Sequence, residues 1–478
     1  MLTDSQQAAL ALLRARRSRP NTAGAIPRRS AELTDLPLSY GQEQLWFIDR
    51  LAPGQPTYNI PLALRLSGPL DAAALGRAVN GLVDRHEALR TRLIAGEHGR
   101  PVQVVDPPEP LPVEAVDLSG LDQNDRQIRL RELIDAEALR PFTLAADRLL
   151  RVWLVRLGGG EHVLLVVVHH TVFDGWSAGV LLRELAALYG QEAAGEPSGL
   201  AELPVQFADY ALWERDRLKG EMLERLEGYW RTELDGYQTV QFPTDRPRPG
   251  VDGSAGGLAQ LMTDTTLLDG LRELSRRQGT TLFVTLMAGL LALLYRYTGQ
   301  RDLVVGTVSA SRGRSELAPL IGFLVNTLPI RADLSGDPAF TDLIARVRER
   351  TTGAYSHQDL PFSMIVQTVR AERAPDRVPV FQIAFSYAER DSAGVSAAGV
   401  EFAITDLVVG INAAKFDLDF AAEARDDGLW FECSYKTALF EPATIRRLLG
   451  HLEVLLRGAA ADPAARLSRL PVLTGAEL

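Results

Sequence analysis

Residues 161–190 read EHVLLVVVHHTVFDGWSAGVLLRELAALYG, and the fold follows from how that stretch divides. Residues 163–168 are an unbroken aliphatic run, the pattern of a strand buried on both faces. Further on, Val180, Leu181, Leu185, Leu188 and Tyr189 recur at helical spacing. A strand, a loop and a helix are therefore expected, with His169 and His170 at the strand's end. Strand side chains alternate between faces, so one imidazole points into a given cleft while the other packs. Asp174 is placed to fold back on the loop or on an imidazole, and Gly175 supplies backbone freedom for a sharp turn. A neutral imidazole suits acid/base work on an attacking amine or hydroxyl at pH 7. Two consecutive residues on opposite faces are poor joint metal ligands and no other cluster completes a shell, so no metal is expected. With no G-x-S-x-G elbow and no reactive setting for Cys433, direct transfer between two bound substrates is favoured over a covalent acyl-enzyme.

The remaining sequence sets the frame. Its 478 residues suit two or three domains. A hydrophobic fraction of 46% with 23% charged residues fits a globular protein, and a net charge of -10 argues against a nucleic-acid surface. The single cysteine precludes an intramolecular disulfide and fits a cytoplasmic setting. No apolar run approaches the roughly 18 to 20 residues of a membrane helix, and Arg14 to Arg19 follow the N-terminal apolar stretch where a signal peptide would have them precede it. A short helix is expected over 4–18, then a tether to residue 36. Strands at 62–66, 102–105, 152–155 and 163–168 alternate with helices at 71–89 and 124–139, and the second half repeats that grammar with helices at 267–277, 281–297, 340–354 and 442–456 and a strand at 303–307. Mixed α/β layers in two similar lobes are the expectation. Proline and glycine crowd residues 243–257, marking a break, and residues 391–399 form a soft Ser/Ala/Gly stretch. The glycines near 253–257 are no phosphate loop, so no nucleotide or flavin is expected.

The stretch His169-His170-Thr171-Val172-Phe173-Asp174-Gly175 resembles the HHxxxDG signature of the condensation domains of nonribosomal peptide synthetases. The resemblance continues in order through LSYGQEQLWF at 38–47, RHEALRTR at 85–92, FADYALW at 207–213, IGFLVNT at 321–327, HQDLPF at 357–362 and VPVFQ at 378–382, covering residues 37 to about 460. Two features depart from the family pattern: Gln44 stands where an arginine usually precedes Leu-Trp, and Gly41 replaces the common alanine. The two histidines are intact, unlike the degenerate motif of oxygenase-recruiting relatives, and the DxxxxD of heterocyclising relatives is absent.

This resemblance implies a pseudo-dimer of two chloramphenicol-acetyltransferase-like lobes in a V shape around a central tunnel, joined near 215–225. The corresponding division is an N-terminal helix and tether (1–36), an N-terminal lobe (37–218), a C-terminal lobe (219–465) and a linker-like tail (466–478). It implies amide formation between a donor acyl thioester and an acceptor aminoacyl thioester, both carried on the 4'-phosphopantetheine arms of carrier proteins, with no cofactor bound by the chain itself and an adenylation domain as a further neighbour. His170 is the implied catalytic residue, as general base or as the group that orients the amine. His169, Asp174 and Gly175 complete the motif: Asp174 in an ion pair with Arg85, Arg90 or another motif arginine, and Gly175 with its N–H toward the thioester carbonyl. Arg85, Trp213 and Asn326 shape the structure or the tunnel, His86 and His357 brace packing, and Trp46 and Phe47 are core. The tail suggests a piece of a synthetase, and Met1 a free-standing enzyme using a soluble alcohol or amine; a carrier-docking module without catalysis and a coenzyme A acyltransferase are the remaining classes.

Overall fold

The computed structural model describes residues 24–30, 32–33, 35–248, 255–371, 377–389, 394–405 and 414–478. The helix expected over 4–18 and the arginines at 14–19 lie outside them. The fold is mixed α/β, with two six-stranded sheets and a small three-stranded one. In the first large sheet, strand Glu161–His169 lies between Asn59–Ser67 and Leu150–Gly158 and is antiparallel to both. Helix Gln123–Leu139 contacts this strand and Asn59–Ser67, while Ala72–Arg85 and Gly175–Ala194 pack on one another and contribute to the same core. Residues 163–168 are all buried, each such aliphatic side chain contributing on the order of 1.5–3 kcal/mol. Helix Ala72–Arg85 is capped by Asp71, which accepts from the N–H groups of Ala73 and Ala74. The helix expected over 71–89 stops at Arg85 because His86 is extended, and a 3-10 turn, Glu87–Arg90, follows.

The second large sheet runs in the order Asn326–Asp333, Asp302–Ser309, Ile383–Glu389, Leu418–Arg425, Gly428–Lys436 and Gly256–Met262. Behind it lies Leu282–Thr298, whose twelve buried residues make it a core helix. Among the described residues no single helix is long and apolar enough to cross a membrane; Thr265–Arg277 and Leu282–Thr298 reach that composition only together, across a 105° bend.

Core membership changes between Tyr210 and Leu218, well before the proline- and glycine-rich residues 243–257, so that loop does not divide the cores. Two segments of the second half cross back. Leu317, Leu320, Ile321 and Leu324 enter the first core, where Gly322 permits contact with Phe207: a Cβ there would lie 2.2 Å from the ring. Strands Val395–Ala397 and Val400–Ile404 form a hairpin that extends the first sheet alongside Asn59–Ser67. Residues 395–397, expected to be soft, are thus ordered by cross-strand pairing. The tail also packs, with Leu467 and Leu470 buried in the second core and their carbonyls accepting from Arg296.

Candidate active site

Strand Glu161–His169 passes directly into the 3-10 turn His170–Val172, and helix Gly175–Ala194 starts from an Asp174 N-cap. The turn separates the two imidazoles. His169 is buried, its Nδ1 2.9 Å from Thr171 Oγ1, with Phe142 at its edge. His170 lines a cavity of about 1340 Å³. Its Nδ1 lies 2.7 Å from the Phe173 carbonyl oxygen. A carbonyl only accepts, so Nδ1 carries the proton and Nε2 keeps the lone pair. The Phe323 ring packs edge-on at 4.8 Å. Gln42 braces the turn from the Tyr40–Leu51 helix by donating to the Thr171 carbonyl at 3.1 Å.

Burial, reinforced by the charge of Lys415, lowers both histidines: His169 to about 3, and His170 well below the ordinary imidazole range. Lys415 and Asp419 line the same cavity. Burial depresses the Lys415 ammonium, opposed by Asp419, and raises Asp419 to about 6, opposed by Lys415.

Asp174 is committed to groups other than the imidazoles. Its carboxylate is 1% exposed and accepts from the Ser177 N–H and hydroxyl, from both terminal nitrogens of Arg312 at 2.7 and 3.0 Å, and from the Leu324 N–H at 3.0 Å. The ion pair expected for Asp174 is present, but its partner is neither Arg85 nor Arg90. Arg85 donates to Glu184 and to the Ala201 carbonyl, and Arg90 to the Asp106 carbonyl. Glu184 lies ten residues along the helix from Asp174, about 15 Å at the helical rise, so an arginine on the facing helix at that level cannot reach the N-cap. Arg312 arrives from the loop after strand Asp302–Ser309 and lay outside every motif read in the sequence.

Gly175 has no left-handed φ; it is an ordinary first helical residue, and a Cβ there meets nothing within 4 Å. Its lack of a side chain therefore leaves cavity space and is not demanded by the turn. Trp213 also lines the cavity, under the guanidinium groups of Arg217 and Arg314 at 4.9 and 5.4 Å. Asn326, on the wall too, donates to the carbonyls of Gln358 and Leu360 and accepts from the N–H groups of Thr327 and Phe362. His86 is held between the Ile321 N–H and Glu184, and His357 stacks on Tyr229 at 3.8 Å. Trp46 is core, but its neighbour Phe47 is 52% exposed and lines the cavity: adjacent helical residues point about 100° apart and cannot share one face. Gln44 also lies on the cavity wall. Gly41 makes room for Phe323, which a Cβ would approach to 2.9 Å. The sequence singled out neither Lys415 nor Asp419, nor Tyr58, whose ring lies 6.4 Å from both imidazoles. Among the described residues no group of three His, Cys, Asp or Glu could hold a metal ion.

Residues 32–477 match the condensation-domain family. The chain belongs to that family. This condensation domain is 41% identical over 443 residues to a linear gramicidin synthase protein of Brevibacillus parabrevis, an alignment that takes in 92% of the chain but spans only 9% of that protein's length. Among solved structures it resembles the X-domain from teicoplanin biosynthesis, with a TM-score of 0.83, 31% identity and coverage of 94% of this chain and all of that one. It also resembles SgcC5 from Streptomyces globisporus, a structure in complex with (R)-(-)-1-(2-naphthyl)-1,2-ethanediol and sucrose, with a TM-score of 0.79, 28% identity and coverage of 90% of this chain and all of that one.

Proposed function

We propose that this condensation domain forms an amide by directing the amine of an acceptor aminoacyl thioester onto the carbonyl of a donor acyl or peptidyl thioester. The observation that carries the reading is His170 itself, on the wall of a large cavity, with Nδ1–H committed to Phe173 and a lone pair left on Nε2. An imidazole held neutral accepts a hydrogen bond from the attacking N–H and fixes its approach, and near-attack positioning is worth several kcal/mol. Its depressed pKa makes it a weak base, which favours the positioning role over full proton abstraction. We assign His169 and Asp174 to holding the loop, Gly175 to keeping the cavity clear beside the imidazole, and Trp213 and Asn326 to shaping its wall. Arg85 we place with Glu184 in the first core's helix pair, away from the chemistry.

Two sheets with two cores support reading residues 37–218 and 219–465 as chloramphenicol-acetyltransferase-like lobes of a V-shaped pseudo-dimer, with the cavity as its tunnel. The cavity exceeds the roughly 300–1,000 Å³ of an ordinary small-molecule pocket, as a meeting place for two pantetheine arms requires. The arms supply activated thioesters; the chain supplies alignment. Carrier proteins are the partners in this reading, an adenylation domain is a neighbour, and the setting is cytoplasmic.

The test is amide formation by purified protein given donor- and acceptor-loaded carriers. His170→Ala should lose about 100-fold or more while its circular dichroism and melting temperature stay unchanged, and full activity in that variant would refute the assignment. One observation favours a second reading, the diol in the SgcC5 structure: a carrier-bound donor would then transfer to a soluble alcohol or amine, and turnover with the free acceptor alone decides for it.

A further inference from the structure

Lys415 is a charged side chain of the cavity wall that the motif does not explain. Its Nζ lies 5.4 Å from the centre of the Tyr58 ring, and that ring lies 6.4 Å from each of the His169 and His170 rings. Lys415, Tyr58, His170 and Phe323 all line the one cavity. The neighbouring acid, Asp417, is committed elsewhere, to Arg248 and to Lys436 at 3.3 Å. Asp419 is the carboxylate whose charge Lys415 feels, yet the two make no ion pair, and among the described residues no group accepts a hydrogen bond from the Lys415 ammonium. A half-buried cation without an acceptor is poorly solvated and attracts whatever negative charge forms nearby.

The reaction proposed above creates such a charge. The amine lone pair attacks the thioester carbon, a C–N bond forms, and the C=O π pair moves onto oxygen as an alkoxide. When that pair returns, the C–S bond breaks, sulfur leaves as thiolate, and the proton lost by nitrogen ends on sulfur as the free thiol. We infer that Lys415 is a catalytic residue that stabilises the alkoxide oxygen of the tetrahedral intermediate while the His170 imidazole aligns the amine. A fixed positive charge in a desolvated site acts on the charge that develops in the transition state and not on the neutral thioester. This inference rests on the condensation reading.

Two aminopantetheine probes of matched length separate the roles: a propylphosphonamidate, tetrahedral and anionic, and a butyramide, trigonal and neutral. Calorimetric titration of the full chain should show the phosphonamidate bound at least about tenfold more tightly. In Lys415→Met that preference should collapse and kcat with loaded carriers fall about 100-fold, the usual cost of losing one oxyanion donor. Lys415→Arg should restore part of both, and Lys415→Gln serves as the neutral variant should Lys415→Met fail to fold. A neutral variant that keeps the preference, one that loses affinity for both probes by the same factor, or a wild-type protein with no preference would each overturn the assignment. Turnover is read separately: wild-type protein that discriminates between the probes but makes no amide from two loaded carriers counts against the condensation reading and leaves Lys415 an anion-binding residue.

Discussion

The adjacent histidines differ because the backbone changes course between them. His169 ends a ladder strand and is enclosed; His170 opens a 3-10 turn and reaches the cavity. Alternation along a strand would put the two rings on opposite faces, but the molecule separates them by the 3-10 turn, which Gln42 braces and the Phe173 backbone closes. The burial that depresses both pKa values has a consequence for stability. Unfolded histidine titrates near 6.5, so below that pH the unfolded chain binds more protons than the native one. The stabilisation is intact above about pH 6.5 and is lost as the pH falls, for His169 until about 3. Each ring adds a slope of up to about 1.4 kcal/mol per pH unit. Urea unfolding at pH 7.5, 6.0 and 5.0 should show a steeper loss in wild type than in His169→Asn, which keeps a polar side chain but does not titrate; equal slopes would contradict the neutral burial of His169.

At the scale of elements, the N-terminus of helix Gly175–Ala194 is the joint on which the site depends. One carboxylate caps the helix, pairs with Arg312 and accepts from the Leu324 backbone, so three segments are fastened at a single buried point. Removing one member of such a pair leaves the other charged and unpaired, at a cost of about 3–5 kcal/mol. Asp174→Ala and Arg312→Met should each destabilise by about that amount in chemical denaturation, and the double variant by clearly less than their sum, since it leaves no orphan charge. Additive losses would mean the pair contributes nothing as a pair. The need for a cation near Asp174 was legible from the family motif, but its source was not: Arg312 is 138 residues away in sequence and no local pattern links them.

The whole molecule is tied together by exchange between its halves. Val400 and Phe402 are fully buried in the first core although they come from the second half of the chain, with Phe402 against Tyr189 at 5.4 Å, and their hairpin covers the edge of strand Asn59–Ser67. A fragment spanning residues 37–218 should therefore aggregate, because it exposes that edge and the apolar surface beneath it. Phe402→Ala in the full chain should cost about 3–5 kcal/mol, with the first loss of hydrogen-exchange protection in strand Asn59–Ser67, whose edge the hairpin covers. A soluble, protected fragment would show that the exchange is dispensable. What rests on local order is legible in the chain alone. Aliphatic runs and helical periodicity placed the central strand and the main helices, and the ordered motifs, with the histidine pair among them, pointed to the family. What rests on distant atoms meeting is settled in three dimensions: Arg312 as the partner of Asp174, the hairpin lent to the other sheet, Phe47 at the cavity and not in the core, and Lys415 on the same cavity wall as His170. Periodicity records which face of an element is buried, but ion pairs and cavity charges are set by the distance between side chains far apart in the chain, and one sequence holds no period for that.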